Sequence, residues 1–339
     1  MSADQPRPDV LMPLRNLCNS VKCSRDRVRD GESNECSGAF SLSNFWETLS
    51  EAVKSTSQEA TKLSVMFSKA PSQEDCVKIS ESVQKSVLTL STVYFWLPAS
   101  QGVSLRKVVR DATAEVLDGL VHLLEAILSS PGESLSQEQL MSTGGVWAAC
   151  DQFDQLPKDN RSAVLSVLIS CAGLVKDALE EMEQALAEAQ DPFGAVLDDD
   201  DDEGHQDTHW SEADRLLVTQ CQGLMKASGA SLRKLCSAVR NNGSLETEEK
   251  VTQLDALTDA ARDISPSVDD LALSLYPPVE RSAVELNVCK LVCVLKKVLE
   301  ITRSSHVCVE ADVSWVEFLS GAVEHNLQKI TSLLRDCGS

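Results

Sequence analysis

Aromatic side chains make up only 4% of the 339 residues, and glycine and proline are sparse at 15 and 11. Sandwiches and barrels draw on aromatic and β-branched alternation cut by frequent turns, so this scarcity disfavours a sheet architecture. Positive charge is short as well. The chain carries 31 Lys and Arg against 52 Asp and Glu, a net −21. A field of that sign repels a phosphate backbone or an anionic membrane, which speaks against direct nucleic-acid or membrane binding and for basic partner surfaces. No run of 18 apolar residues occurs, so no membrane-spanning segment is expected. The first ten residues hold Asp4, Pro6, Pro8 and Asp9 and lack the apolar run of a signal peptide. The glycines are scattered, and no Walker loop, dinucleotide fingerprint or zinc-protease helix motif is present. No phosphate cradle, cofactor or catalytic site is therefore expected.

What the sequence does have is apolar spacing of three and four. Trp46, Leu49, Val53, Thr56, Ala60, Leu63 and Phe67 form one such stripe. Ile79 to Leu97 and Leu105 to Ile127 form two more, stopped by Pro98 and by Pro131-Gly132, and a weaker pattern runs from Leu140 to Phe153. Val164, Leu168, Cys171, Val175, Ala178 and Met182 continue the series. Such spacing marks helices that pack lengthwise. An acidic run, Asp198 to Glu203, then interrupts it. Trp210 and Ser211, with acids in the turn that follows, read as an apolar residue, an N-cap and a helix start. Further stripes run to Leu334, and Tyr276-Pro277-Pro278 stops one of them. The expectation is an all-α protein of two packed helical bundles, at about 41–190 and 210–339. A flexible acidic linker at about 191–209 joins them, and an N-terminal segment, 1–40, holds one helix near Leu11–Val28.

Reactive residue types find no convergent partners in the sequence. The twelve cysteines are expected to be reduced, with stripe positions such as Cys171, Cys221 and Cys293 behaving as small buried hydrophobes. Cys289 and Cys293 stand four apart, read as a buried stripe rather than half of a zinc site, although His306 follows. His205 and His209 also stand four apart, within a segment too polar to pre-organise ligands. His122, Cys150 and Cys171 lack an evident partner for acid–base or nucleophilic work. Arg215-Leu216-Leu217 and Arg233-Lys234-Leu235 have the form of cyclin-docking triplets, but their leucines also fit a helical core. Lys22, Arg25, Arg27 and Arg29 make a basic patch suited to covering a helix face or to nuclear import. Ser211 and Ser265, the latter followed by Pro266, are candidate phosphorylation sites that capping explains equally well.

Four runs carry a resemblance to a known family: QGVSLRKVVRDATAEVLDGL at Gln101–Leu120, VWAACDQFDQLPKDNRSAVL at Val146–Leu165, ISPSVDDLALSLYPPV at Ile264–Val279 and KLVCVLKKVLEITRSSHV at Lys290–Val307. They resemble the cyclin-D-binding, adaptor-and-cyclin-D-interacting proteins. The third run is the most specific, because periodicity alone does not explain it. The likeness spans about 45–334, and the first 40 residues look divergent. It implies bundles similar to those of vinculin and α-catenin. It also implies a non-enzymatic regulator of cell cycle and transcription, shuttling between nucleus and cytoplasm. The implied partners are a D-type cyclin, a haematopoietic signalling adaptor and helix-loop-helix transcription factors. A vinculin-like cytoskeletal or signalling adaptor is the alternative.

Overall fold

A computed structural model describes residues 10–31, 40–68, 72–129, 136–189 and 209–336. The described residues form eleven α-helices and two short 3-10 turns, with no strand. Two compact units divide the chain, Met1–Asp159 and Asn160–Ser339.

The first unit holds α1 (Met12–Arg29), α2 (Leu42–Met66), α3 (Gln73–Phe95), α4 (Val103–Ser129) and α5 (Gln137–Asp151). α1 lies against α3 and α4, α2 against α3 and α5, and α5 against α4, so the five helices close a ring. The expected stripes point inward: Leu49, Leu63, Val83, Leu90, Val109, Leu120 and Leu123 are buried. α1 is part of this ring, with Leu14, Leu17, Val21 and Val28 in the core. The N-terminal segment is thus not an appendage to a bundle that starts at residue 41. α5 was the weak pattern for a physical reason. The first half of its buried face is polar, with Gln139 donating to the Ser64 carbonyl at 2.9 Å and Thr143 to Ser64 Oγ at 3.0 Å, and only Val146, Ala149 and Cys150 continue it. Leu140 and Met141 face outward.

One charged side chain ties helix ends inside this unit. Arg106 is buried at the start of α4. Its guanidinium donates to the carbonyl of Leu97 just past α3 and to that of Gly31 just past α1, the latter at 3.1 Å, and lies over the Tyr94 ring at 5.3 Å. Both carbonyls belong to helix C-termini, where the last C=O groups lack intrahelical partners and the dipole favours a cation. Gly31 stops α1 with φ of 76°, the left-handed conformation that glycine adopts without a Cβ penalty.

The second unit holds α6 (Asn160–Glu188), α7 (Glu212–Asn242), α8 (Glu248–Arg262), α9 (Ile264–Ser274), α10 (Arg281–Ser304) and α11 (Glu310–Asp336). α6 packs on α7, α7 on α11 and α11 on α10, while α8 and α9 together bridge α10 back to α6. They therefore fill one position of the ring as a helix broken at Asp263. Pro266 supplies the reason, since it cannot donate the i→i−4 hydrogen bond to Arg262. Ser265 is not the cap of α9. It lies inside the first turn and is buried, and Asp263 holds the N-cap position.

The placement of α6 differs from the sequence expectation, which set it in the first bundle. Val164, Leu168, Cys171, Val175 and Met182 share a core with Leu217, Cys221 and Leu224 of α7. Buried Asn160 donates to Asp255 of α8 at 3.0 Å. A composition break marks where a chain is polar, whereas membership of a core depends on which apolar face the stripe meets. The break itself, 191–208, lies outside the described residues. Among the described residues α6 alone is long and apolar enough to cross a membrane, although it holds no unbroken run of 18 apolar residues. In this fold its stripe faces the second unit's core.

Candidate functional site

The side chains that could carry chemistry are dispersed. Cys150 is buried in the first unit, and burial, aided by the Asp151 carboxylate, pushes its thiol up to about 12 against the opposing effect of a hydrogen bond with Ser57. Cys171 is buried in the second unit, raised by burial and hydrogen-bonded to Ser265. Cys221 is pushed up to about 12 by burial alone. Thiols held in that form are poor nucleophiles at neutral pH. His122 is exposed on α4. His205 lies outside the described residues, and His209 stands just before buried Trp210. No group of three metal-capable side chains occurs among the described residues.

Cys289 and Cys293 correct the sequence reading, for both are exposed. The core stripe of α10 is Val284, Val288, Leu291, Leu295 and Val298, on the opposite side of the helix. A small residue such as cysteine is compatible with either face, so spacing alone did not choose. The thiols should therefore fall into two classes. In the folded protein Cys23, Cys289 and Cys293 should be alkylated quickly. Cys150 and Cys221, raised from 9.0 to about 12, should react on the order of a thousandfold more slowly at neutral pH, from thiolate fraction alone. Timed alkylation read by mass spectrometry measures this, and comparable rates for all five would contradict the fold.

The docking triplets are built into α7. Leu217 and Leu235 are buried, and the Arg215 guanidinium donates to the Ala189 carbonyl at the end of α6 at 2.9 Å. An extended partner-bound conformation would require α7 to unfold. The basic patch covers a helix face: Lys22 pairs with Glu125 at 2.6 Å, Arg25 with Asp118 at 3.1 Å and Arg29 with Asp118 at 2.5 Å, all on α4. Arg27 lies over the Phe95 ring at 5.6 Å. Ser211 caps α7 in a reciprocal box: its Oγ accepts from Asp214 N–H at 3.1 Å, and its own N–H donates to Asp214 Oδ2 at 3.1 Å. Ser211 is open to a kinase, whereas Ser265 becomes accessible only if α9 leaves the core.

A cleft of about 330 Å³ lies between α2 and the end of α5. Trp46, Ser57, Cys150, Asp151, Asp154 and Lys158 are among its lining. Lys158 lies over the Trp46 ring at 4.3 Å, and Trp46 donates its indole N–H to the Lys158 carbonyl at 2.8 Å. No histidine lines the cleft, and its cysteine is protonated.

One histidine does occupy a defined polar setting. His306 Nε2 accepts from Ser244 N–H at 3.1 Å, and its Nδ1 meets Gln253 Oε1 at 2.8 Å, which selects the tautomer protonated at Nδ1. Burial, then Lys250, hold its pKa below the ordinary 6.5. The unfolded chain therefore takes up the proton more readily, and stability present above about pH 6.5 is lost as pH falls toward the folded value. The urea midpoint of the second unit should drop between about pH 7.5 and 5.5, and by less in His306→Gln. Equal drops in both proteins would dismiss the assignment.

What the spacing missed is the set of apolar side chains left in water. Leu273 on α9, Leu286 on α10 and Phe318 on α11 are 71%, 70% and 74% exposed. Their signal was present as leucines and a phenylalanine standing off the stripe that their helix buries.

Comparison with known proteins gives a consistent result across the chain. Two family models match, "Grap2 and cyclin-D-interacting, N-terminal" over residues 48–188 and "Grap2 and cyclin-D-interacting, C-terminal" over residues 197–300. The chain is 74% identical to the cyclin-D1-binding protein 1 homolog of Danio rerio, over 99% of both chains. It is 50% identical to the homolog of Xenopus laevis, over 95% of this chain and 98% of that one. It is 40% identical to cyclin-D1-binding protein 1 of Homo sapiens, over 95% of this chain and 93% of that one.

Proposed function

Because this chain belongs to the Grap2 and cyclin-D-interacting family, we propose that it is a non-enzymatic binding protein for D-type cyclins. The observation that carries this reading is 40–74% identity, over 95–99% of this chain, to proteins named for binding cyclin D1. The mechanism is sequestration, in which helix faces bury apolar surface of a partner and the net charge of −21 favours basic partner surfaces. In this reading the protein also engages a haematopoietic signalling adaptor and helix-loop-helix factors in nucleus and cytoplasm, and restrains cell-cycle progression.

Gel filtration of the full chain with purified cyclin D1 tests the central point. Co-elution at about 10 μM is the expected result, since a specific complex has a dissociation constant in or below the micromolar range. Separate elution of the two proteins at that concentration overturns it. The same assay with a helix-loop-helix factor or the signalling adaptor tests the remaining partners.

A further inference from the structure

The run ISPSVDDLALSLYPP forms α9 and the turn that follows, and its inward face is fully explained. Ile264, Val268, Leu271 and Leu275 are buried in the second unit's core. Its outward face is not. Pro266, Asp269 and Leu273 are exposed along it, with half-exposed Asp270 beside them. Positions three, four and seven apart share one side of a helix. A leucine 71% exposed on that side does no work in packing this chain.

α10 presents a matching face. Asp270 fixes the register between the two helices: its carbonyl accepts from Asn287 Nδ2 at 2.9 Å, and its carboxylate accepts from Lys290 Nζ at 2.5 Å. The chain reverses between α9 and α10. Leu273, nearly one turn beyond Asp270, and Leu286, one turn before Lys290, therefore lie on the same side of this tie. Leu286 is 70% exposed, and Cys289 and Cys293 continue its face at spacings of three and four. Two open leucines thus stand on adjoining helices.

The rim around them is acidic. Asp269 lies close enough to Asp270 of its own helix and to Glu181 of α6 for both to act on it, and burial together with those two carboxylates pushes its pKa up. Glu285 is exposed next to Leu286. Lys290 is already engaged by Asp270, and Lys297 stands about three turns beyond Leu286, away from this end. In the free protein the carboxylates crowd one another around apolar surface, and a cation brought by a partner would relieve that repulsion.

We propose that the outer face of the α9–α10 hairpin docks an amphipathic helix of a partner protein whose apolar stripe is flanked by lysine or arginine. The two leucines supply the apolar contact, and Asp269 and Glu181, which no lysine or arginine among the described residues of this face engages, select the charge. This goes beyond cyclin binding and does not depend on it.

Two labelled 20-residue helical peptides with the same leucine stripe, one flanked by lysines and one by glutamates, provide the probes. Each is titrated against the full chain by fluorescence anisotropy. The lysine peptide should bind and the glutamate peptide should not. The double variant Leu273→Ser, Leu286→Ser should keep its helical spectrum, because both positions are exposed, and should bind the lysine peptide at least about tenfold more weakly. Asp269→Asn should weaken binding and lessen its salt dependence. Bound peptide should slow alkylation of Cys289 and Cys293 and leave Cys23 unchanged. Undiminished binding to the leucine variant would reveal only attraction to an acidic protein and overturn the proposal, as would equal binding of both peptides. A concentration-dependent dimer that the leucine variant abolishes would assign the face to a second copy of this chain, again overturning it. Capture of cyclin D1 by the unaltered protein is scored separately, so its failure would count against the cyclin reading alone.

Discussion

Replacing Trp210 by alanine should destabilise the second unit by about 3–5 kcal/mol, the range for truncating a buried large aromatic. Trp210 is buried against the core of that unit. Its indole N–H donates to the Leu275 carbonyl at 2.6 Å, and its ring stands 5.8 Å from that of Tyr276. It directly precedes the Ser211 capping box of α7. One side chain thus seats the start of α7 on the end of α9. Loss of the indole removes apolar burial and leaves a buried carbonyl without its donor. Urea unfolding followed by helical ellipticity gives the measurement, with Trp210→Phe as the companion. Phenylalanine keeps most of the area and loses the hydrogen bond, so it should cost about 1–2 kcal/mol. A loss below about 1 kcal/mol for the alanine variant would show that Trp210 is peripheral.

In the first unit the corresponding large effect belongs to Arg106→Met, at about 3 kcal/mol. Methionine keeps much of the stem volume and removes the guanidinium. The Leu97 and Gly31 carbonyls then lose a charged donor at two helix ends, and Tyr94 loses the cation over its ring. A buried carbonyl that can find neither protein nor water partner carries the desolvation cost in full. Arg106→Lys should fall between, because an ammonium on a flexible stem does not reproduce the planar fork. The contrast is Lys22→Ala, which breaks an exposed, solvent-screened pair with Glu125 and should leave stability nearly unchanged. Equal effects for Arg106 and Lys22 would show that burial of the guanidinium does not matter.

Parts of the interaction face were written in the sequence and others were not. Leu273 and Leu286 depart from the stripes of their own helices, and that departure is visible in the pattern of letters. That the two stand together is not, because their meeting depends on Asp270 accepting from both Asn287 and Lys290 across the hairpin. Ser265 illustrates the opposite case. Ser-Pro read as a cap and a candidate phosphorylation site, and packing against Cys171 put it in the core instead.

The sequence by itself determined which segments are helical, where several of them begin and end, and which face most of them bury. The stripes of α2 to α4, the Ser211 cap and the stop at Tyr276-Pro277-Pro278 all depend on neighbours within a few positions. Backbone geometry converts such local spacing directly into a helix with an apolar side. Tertiary structure alone decided that α6 joins the second core and that α1 completes the first. It also decided that α5 buries glutamine and threonine, and that Cys289 and Cys293 face water. Those choices turn on complementarity between surfaces far apart in the chain. An apolar stripe states that a helix needs a partner without naming it, and a small or polar side chain takes its environment from whatever packs opposite.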